Sequence, residues 1–278
     1  MAEARVNPNG KLKGKVALVT GASRGIGEAI STRLAMEGAK VVCTARTADD
    51  GQSNLPGTLK HTVKRIREAG GEANYLTCDL SQAAEREQLV KDATGLYGPI
   101  DILINNGAVT FYYPIETFPE KRFKLMIEVQ VWAALHLSQM VLPSMRERKS
   151  GAIVTISSGA ALHPKLPYDN VRAGGTVYGM CKAALERFST GLASEVYNDN
   201  ISVNVISPGL VATPGVAVHG LITEKTKHRV SPIENIAESV YVLVTGDPKK
   251  MTGRIDHAAP FLEEMGIKPS PLVGIAAG

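Results

Sequence analysis

The run Thr20–Gly27 reads T-G-A-S-R-G-I-G and follows the apolar Val16-Ala17-Leu18-Val19. An apolar strand, a turn with glycines at 21, 25 and 27, and a helix-forming stretch in that order constrain the chain more than any other feature. Glycine there allows backbone conformations and close approaches that a side chain blocks. The first amides of the helix then point outward, with the positive end of its dipole behind them, and such a place accepts a pyrophosphate. The spacing is G-x-x-x-G-x-G, not G-x-G-x-x-G, and no G-K-S/T ending marks a phosphate loop. The strand before and the helix after favour a nucleotide site over a bare turn.

Bulk properties narrow the class. The 278 residues suit one large α/β domain or two small ones, and 44% hydrophobic with 21% charged is ordinary for a globular chain. A net charge of +4 without a long basic run points away from nucleic acid. No apolar stretch is read as approaching the roughly 18 residues of a membrane span. The start M-A-E-A-R-V-N-P-N-G-K lacks a signal core, so no membrane partner and a cytoplasmic location are expected. Cys43, Cys78 and Cys181 fit neither a zinc pattern nor a disulfide framework and are read as reduced thiols. The histidines show no ligand spacing, so no metal is expected.

Apolar runs alternate with amphipathic stretches. Strands are predicted near 16–20, 40–44, 73–77, 101–105, 152–157 and 201–206, and helices near 25–38, 58–69, 82–95, 119–143, 176–198 and 232–245. This rhythm predicts one α/β domain, a parallel sheet with helices on both faces. Polar, turn-rich segments at 47–57, 161–175 and 209–230 break it, each past the C-terminal end of a predicted strand, where ligands bind in open sheets.

Tyr178 and Lys182 stand four apart in T-V-Y-G-M-C-K and so share a helix face. An ammonium beside a phenol favours the phenolate and lowers the tyrosine from its usual pKa of about 10, toward acid–base work near neutral pH. Alone, such a pair is usually a surface pair. Ser158, at the tip of the preceding strand, adds a hydroxyl able to donate to a substrate oxygen.

At this point the chain resembles the short-chain dehydrogenase/reductase family, from about Lys13 to Gly253. The resemblance rests on T-G-A-S-R-G-I-G, on Asp79 in T-C-D-L, on N-N-G-A at Asn105–Ala108, on Ser158, on Tyr178/Lys182, and on N-V-I-S-P-G-L-V-A-T at Asn204–Thr213, all in the family's order. It implies a Rossmann-like, doubly wound sheet of about seven strands, with a core over about 13–255 and a divergent tail at 256–278. Tyr178 would be the general acid of reduction and the base of oxidation, and Ser158 would polarise the same oxygen. Lys182 would depress the Tyr178 pKa and bond the nicotinamide ribose. For the cofactor the resemblance implies Gly21, Ser23, Arg24, Gly25, Ile26 and Gly27 in the turn. It adds Arg46, Asp79, Leu80 and Asn106 along the cleft, and Pro208, Gly209, Val211 and Thr213 beside the nicotinamide. Helices that pack across subunits in the family imply a homodimer or homotetramer, with Trp132 and Leu135–Leu142 on the interface helix.

Four departures stand out. N-N-G-A replaces the family's N-N-A-G, for which a local backbone adjustment is expected. Gln130 stands where the family has a catalytic asparagine. Ser158 and Tyr178 lie twenty positions apart, a wider gap than usual, and the loop between them holds a competing Tyr168/Arg172 pair; Pro167 and Gly174-Gly175 argue against a helix there. The tail T-G-R-I-D-H-A-A-P-F-L-E-E lacks the family's glycine-rich ending, suggesting an altered pocket wall or subunit contact.

An enzyme of this kind using NAD(H) places an acid at the end of the second strand; here Ala45 and Arg46 stand there, with Arg24 in the turn. Two guanidinium groups suit a 2′-phosphate, so NADP(H) is expected over NAD(H). Phe111, Tyr112, Tyr113, Leu162, Leu166 and Val216 suggest a lipophilic ketone or alcohol as small-molecule substrate. The alternatives are a non-catalytic NADP(H)-binding sensor and a redox-neutral epimerase or dehydratase.

Overall fold

The computed structural model describes residues 5–166, 168 and 174–275. Seven strands form one parallel sheet in the order β3-β2-β1-β4-β5-β6-β7. They are β1 (Val16–Thr20), β2 (Lys40–Ala45), β3 (Glu72–Thr77), β4 (Ile102–Asn105), β5 (Gly151–Ile156), β6 (Ile201–Ser207) and β7 (Ile255–His257). Order reverses between β1 and β4, paired through Ala17–Ile102 and Val19–Ile104. At such a switch point the connections leave in opposite directions and open a crevice above the strand ends.

Period-two alternation sends neighbouring residues to opposite faces. Ala17 and Val19 join the core under α1 (Gly25–Met36), α2 (Leu59–Glu68), α8 (Ile233–Thr245) and α9 (Ala258–Glu264). Val16 and Leu18 join the core under α3 (Ala83–Tyr97), α5 (Ala133–Arg148) and α6 (Thr176–Val196). The six strands located from sequence lie within one residue of where they were expected at each end. The seventh, three residues long with Ile255 half exposed, has no apolar run to announce it.

The helix expected at 119–143 differs in two ways. It runs as α4 (Glu120–Met126), a π-helical segment Ile127–Trp132, and α5 on to Arg148, with Pro143 inside it. Burial of Val141 and Met145 on either side of Pro143 carries the helix through, where sequence alone ends it. The segment Glu120–Arg148 is also long and apolar enough, by length and composition, to cross a membrane, which corrects the expectation of no such stretch. Here it packs Leu137, Val141 and Met145 against the sheet.

The packed core also runs past the boundary expected at 255. Phe261 and Leu262 of α9 are buried in the first core, and Leu272 and Val273 pack on Ala29 and Met36 of α1 and Ala237 of α8. Beneath them Arg33 pairs with Glu238 at 2.7 Å, both side chains almost wholly buried. Its guanidinium also lies 4.0 Å over the Tyr241 ring, and Glu238 accepts from the Ser270 amide at 3.0 Å. The tail is thus fixed to the helix that follows the glycine turn. Breaking a buried pair leaves a charge short of partners, here Arg33 with only Glu37, one turn on, at 2.8 Å. Glu238→Ala is expected to lower stability by about 3–5 kcal/mol in denaturant unfolding, and Glu238→Gln, which keeps an acceptor, by less.

Candidate functional site

A cleft of about 340 Å³ opens over the C-terminal ends of β1, β2, β4, β5 and β6. Its floor is the glycine turn. A side chain at Gly27 would put Cβ 2.3 Å from the Gly21 carbonyl oxygen and 2.6 Å from Asn106 Nδ2, so turn and helix touch backbone to backbone. Asn106 closes the contact by donating from Nδ2 to the Thr20 oxygen at 2.8 Å. In the N-N-G-A run, a Cβ at Gly107 would meet the end of the Leu80 side chain at 2.5 Å, so an alanine there needs only a shift of that side chain. Thr213, whose hydroxyl caps α7 (Pro214–Val218), leans over Gly25 from the opposite wall.

Of the expected cofactor residues, Gly21, Ser23, Arg24, Gly25, Ile26 and Gly27 line the cleft. So do Arg46, Asp79, Leu80, Asn106, Pro208 and Thr213. Gly209 and Val211 do not; Val211 is buried beside the Leu210–Val230 bridge, which turns it inward. Asp79 is held by its own loop, accepting from the Ser81 amide at 2.9 Å. Arg86, fully buried, supports that loop through the Leu80 carbonyl and pairs with Glu128 at 2.7 Å.

Tyr178 and Lys182 also line the cleft, side by side on α6. Ser158 lies outside its lining but its hydroxyl hydrogen-bonds the Tyr178 phenol, while Ser157 faces inward and donates to Glu186 at 2.6 Å. The twenty-residue gap is bridged by packing. A Cβ at Gly179 would sit 2.5 Å from the Ala160 oxygen, so the turn after β5 rests directly on the first turn of α6. Sequence reasoning passed over Gly179, although a small residue beside a candidate tyrosine is a legible signal. Tyr168, of the competing pair, is exposed, and Arg172 and the 169–173 stretch lie outside the described residues.

The electrostatics correct one expectation. Burial pushes the Tyr178 phenol up to about 12, against the lowering from the Ser158 hydrogen bond. Lys182 is buried and donates from Nζ to the Ile156 carbonyl at 2.9 Å, 5.7 Å from the centre of the tyrosine ring. Burial lowers the Lys182 ammonium to about 8. Burial dominates, and the protein's own groups leave Tyr178 a neutral phenol.

Gln130 lies in the π-helical segment, almost wholly buried, and donates from Nε2 to the Val109 carbonyl at 2.8 Å. Its Oε1 and both amide atoms of Asn105 are buried without a protein partner, around a void of about 10 Å³ that Lys182 also lines. On the outer side Tyr112 meets Tyr178 edge-on at 5.9 Å and His219 edge-on at 5.0 Å. Phe111 lies under Arg122, Tyr113 against Phe118, and Leu162 and Leu166 are exposed, so of the three expected aromatics it is Tyr112 whose ring meets Tyr178 edge-on. His257, at the start of the divergent tail, approaches Gly159 next to Ser158.

The chain resembles known proteins along most of its length. A family model for short chain dehydrogenases matches residues 15–220. An uncharacterized oxidoreductase of Methylorubrum extorquens is 33% identical over 258 residues, 90% of this chain and 98% of that protein. A 3-oxoacyl-[acyl-carrier-protein] reductase of Salmonella typhimurium is 30% identical over 88% of this chain and 96% of its own. A metagenomic short-chain oxidoreductase solved in complex with NADP superposes with a TM-score of 0.72 at 29% identity, covering 90% of this chain and 99% of that one.

Lys182 carries a stability consequence. Its folded pKa lies below its unfolded one of about 10.5, so burying the charge costs stability below pH 8, and that cost fades as pH rises from 8 to 10.5. Lys182→Met is expected to melt higher than the parent near pH 7 and to lose that advantage between pH 8 and 10.5, followed by thermal unfolding across pH.

Proposed function

The chain belongs to the short chain dehydrogenase family of oxidoreductases, and we propose that it is an NADP(H)-dependent reductase interconverting a lipophilic ketone or aldehyde with its alcohol. The observation that carries this reading is the meeting of Ser158, Tyr178 and Lys182 at the edge of the glycine-floored cleft. NADPH, when bound, supplies the hydride.

The cleft's residues fit such a cofactor. The backbone-to-backbone packing at Gly21 and Gly27 leaves room for a pyrophosphate against the α1 amides. Arg24 and Arg46 lie close enough that the Arg46 charge helps lower Arg24, after desolvation, and Arg24 Nε is buried without a partner. Ala45 ends β2 where an acid would hold a plain ribose. An anion between the two guanidinium groups relieves both conditions, which favours a 2′-phosphate and hence NADP(H) over NAD(H). The NADP complex of the metagenomic oxidoreductase supports the same choice.

On the carbonyl side, Ser158 donates to the substrate oxygen and Tyr178 delivers a proton to it. A phenol kept neutral by burial is in the correct state for that step, so the protein's electrostatics favour reduction. Lys182, bonded to the Ile156 carbonyl, holds the ribose side of the cleft. Tyr112, backed by His219, lays aromatic surface beside the Tyr178 ring, which suits a flat or lipophilic carbonyl compound. Exposed Trp132 and Met180, on the outer faces of the π-helical segment and α6, are consistent with packing against a second copy in a dimer or tetramer.

NADPH oxidation at 340 nm against a panel of lipophilic ketones tests this reading. Turnover is expected, and Tyr178→Phe is expected to lose about 10²–10⁴-fold in kcat/KM. Tight NADPH binding without turnover of any carbonyl would favour the sensor or redox-neutral alternatives. Because the phenol stays protonated, reduction is expected to persist into alkaline pH while oxidation gains with each rise in pH. Arg46→Asp is expected to raise the NADPH KM about tenfold or more and to leave the NADH KM much less changed, read from initial rates with each cofactor.

A further inference from the structure

The polar segment 47–57, long for a β2–α2 connection, is a folded part of the cleft wall. Gln52 Oε1 accepts from the Ala48 and Asp49 amides at 2.8 and 3.0 Å, which folds the loop on itself. The Leu59 and Lys60 amides donate back to the Thr47 and Ala48 carbonyls, and Lys60 pairs with Asp49. Thr47 and Leu55 face the cleft.

The far end of the loop holds Arg24. Arg24 Nη2 donates to the Gly57 carbonyl at 2.8 Å, and Nη1 to the Ser53 hydroxyl at 3.4 Å. The Ser53 hydroxyl is fixed in turn by the Leu55 amide at 3.1 Å. Gly57 has φ +99°, and a Cβ there would lie 2.8 Å from both Arg24 Cβ and the Ser23 oxygen. Only glycine lets the loop backbone lie flat against the root of the Arg24 side chain. Among the described residues no carboxylate hydrogen-bonds Arg24. Glu28, whose charge acts on it, pairs instead with Arg65 at 2.7 Å, and Arg24 Nε stays buried and unpartnered.

We infer that the 47–57 loop is a specificity device: Gly57 and Ser53 position the Arg24 guanidinium, and through it they set how strongly the cleft prefers a phosphorylated adenosine ribose. This rests on the NADP(H) reading above. A long side chain ordered before its ligand arrives loses less freedom on binding, so the loop's grip on Arg24 adds to affinity without the loop touching the phosphate. Gly57 and Ser53 are positioning residues, and their effect runs only through Arg24.

The test is a double-mutant cycle read by direct binding. Dissociation constants for NADPH, NADH and adenosine 2′,5′-bisphosphate are measured by titration calorimetry on the parent, Gly57→Ala, Arg24→Ala and the double variant. Melting temperatures are followed alongside. Gly57→Ala is expected to weaken NADPH and the bisphosphate about tenfold while NADH moves less than twofold, and to have no further effect in the Arg24→Ala background. Equal weakening of NADPH and NADH, or additive effects of the two substitutions, would overturn the inference. If Gly57→Ala melts too early to titrate, Ser53→Ala, which strains no backbone, serves in the same cycle. A two- to threefold loss confined to the phosphorylated ligands supports the inference, and an unchanged NADPH-to-NADH ratio overturns it. A parent protein that binds both dinucleotides equally would instead overturn the NADP(H) reading, and that is seen before any variant is made.

Discussion

Everything at this site hangs on one contact, the touching of two backbones where β1 ends and α1 begins. Gly21 and Gly27 let the turn close with no side chain between them, and the Asn106 amide ties that closure to the end of β4. Because β1 and β4 are the two strands at which the sheet reverses, this contact also fixes the width of the crevice. Each other functional side chain takes its place relative to it. Arg24 projects from inside the turn, Thr213 leans over Gly25, and Tyr178 and Lys182 arrive on α6 from beyond β5.

A second contact of the same kind, Gly179 against Ala160, builds the chemical end. It presses Ser158 onto Tyr178 across twenty intervening residues. Burial then does two opposed things. It keeps Tyr178 protonated, and it makes Lys182 a reluctant cation. A lysine four residues on from a tyrosine suggests a depressed phenol from spacing alone. The folded chain reverses that sign because both groups leave water together, and the Lys182 ammonium turns to the Ile156 carbonyl, 5.7 Å from the centre of the phenol ring.

What the sequence made legible was whatever depends on periodicity and on local backbone demands. Six strands and the glycine turn fall into this class, because buried parallel strands read as apolar runs and a tight turn needs glycine. Most of the cleft lining followed from the motifs. The misses are tertiary. Nothing local announces that α5 passes through Pro143, that a π-helical segment buries Gln130, or that Val211 turns inward. The role of the 47–57 loop was hidden for the same reason, since its partner, Arg24, lies more than twenty residues earlier. Tyr112 was one of three adjacent aromatics, and only the packing separates it from Phe111 and Tyr113.

The Arg33–Glu238 pair has a consequence in time as well as in energy. Arg33 is made early, in the helix that opens the cleft, but its buried partner lies 205 residues further along, and the Ser270 amide that completes the arrangement comes later still. A chain leaving the ribosome can pair that guanidinium only with Glu37, one turn on, until the far end of the sheet has emerged. Taking that guanidinium fully out of water therefore waits on a long-range contact, the kind whose loop-closure cost slows folding.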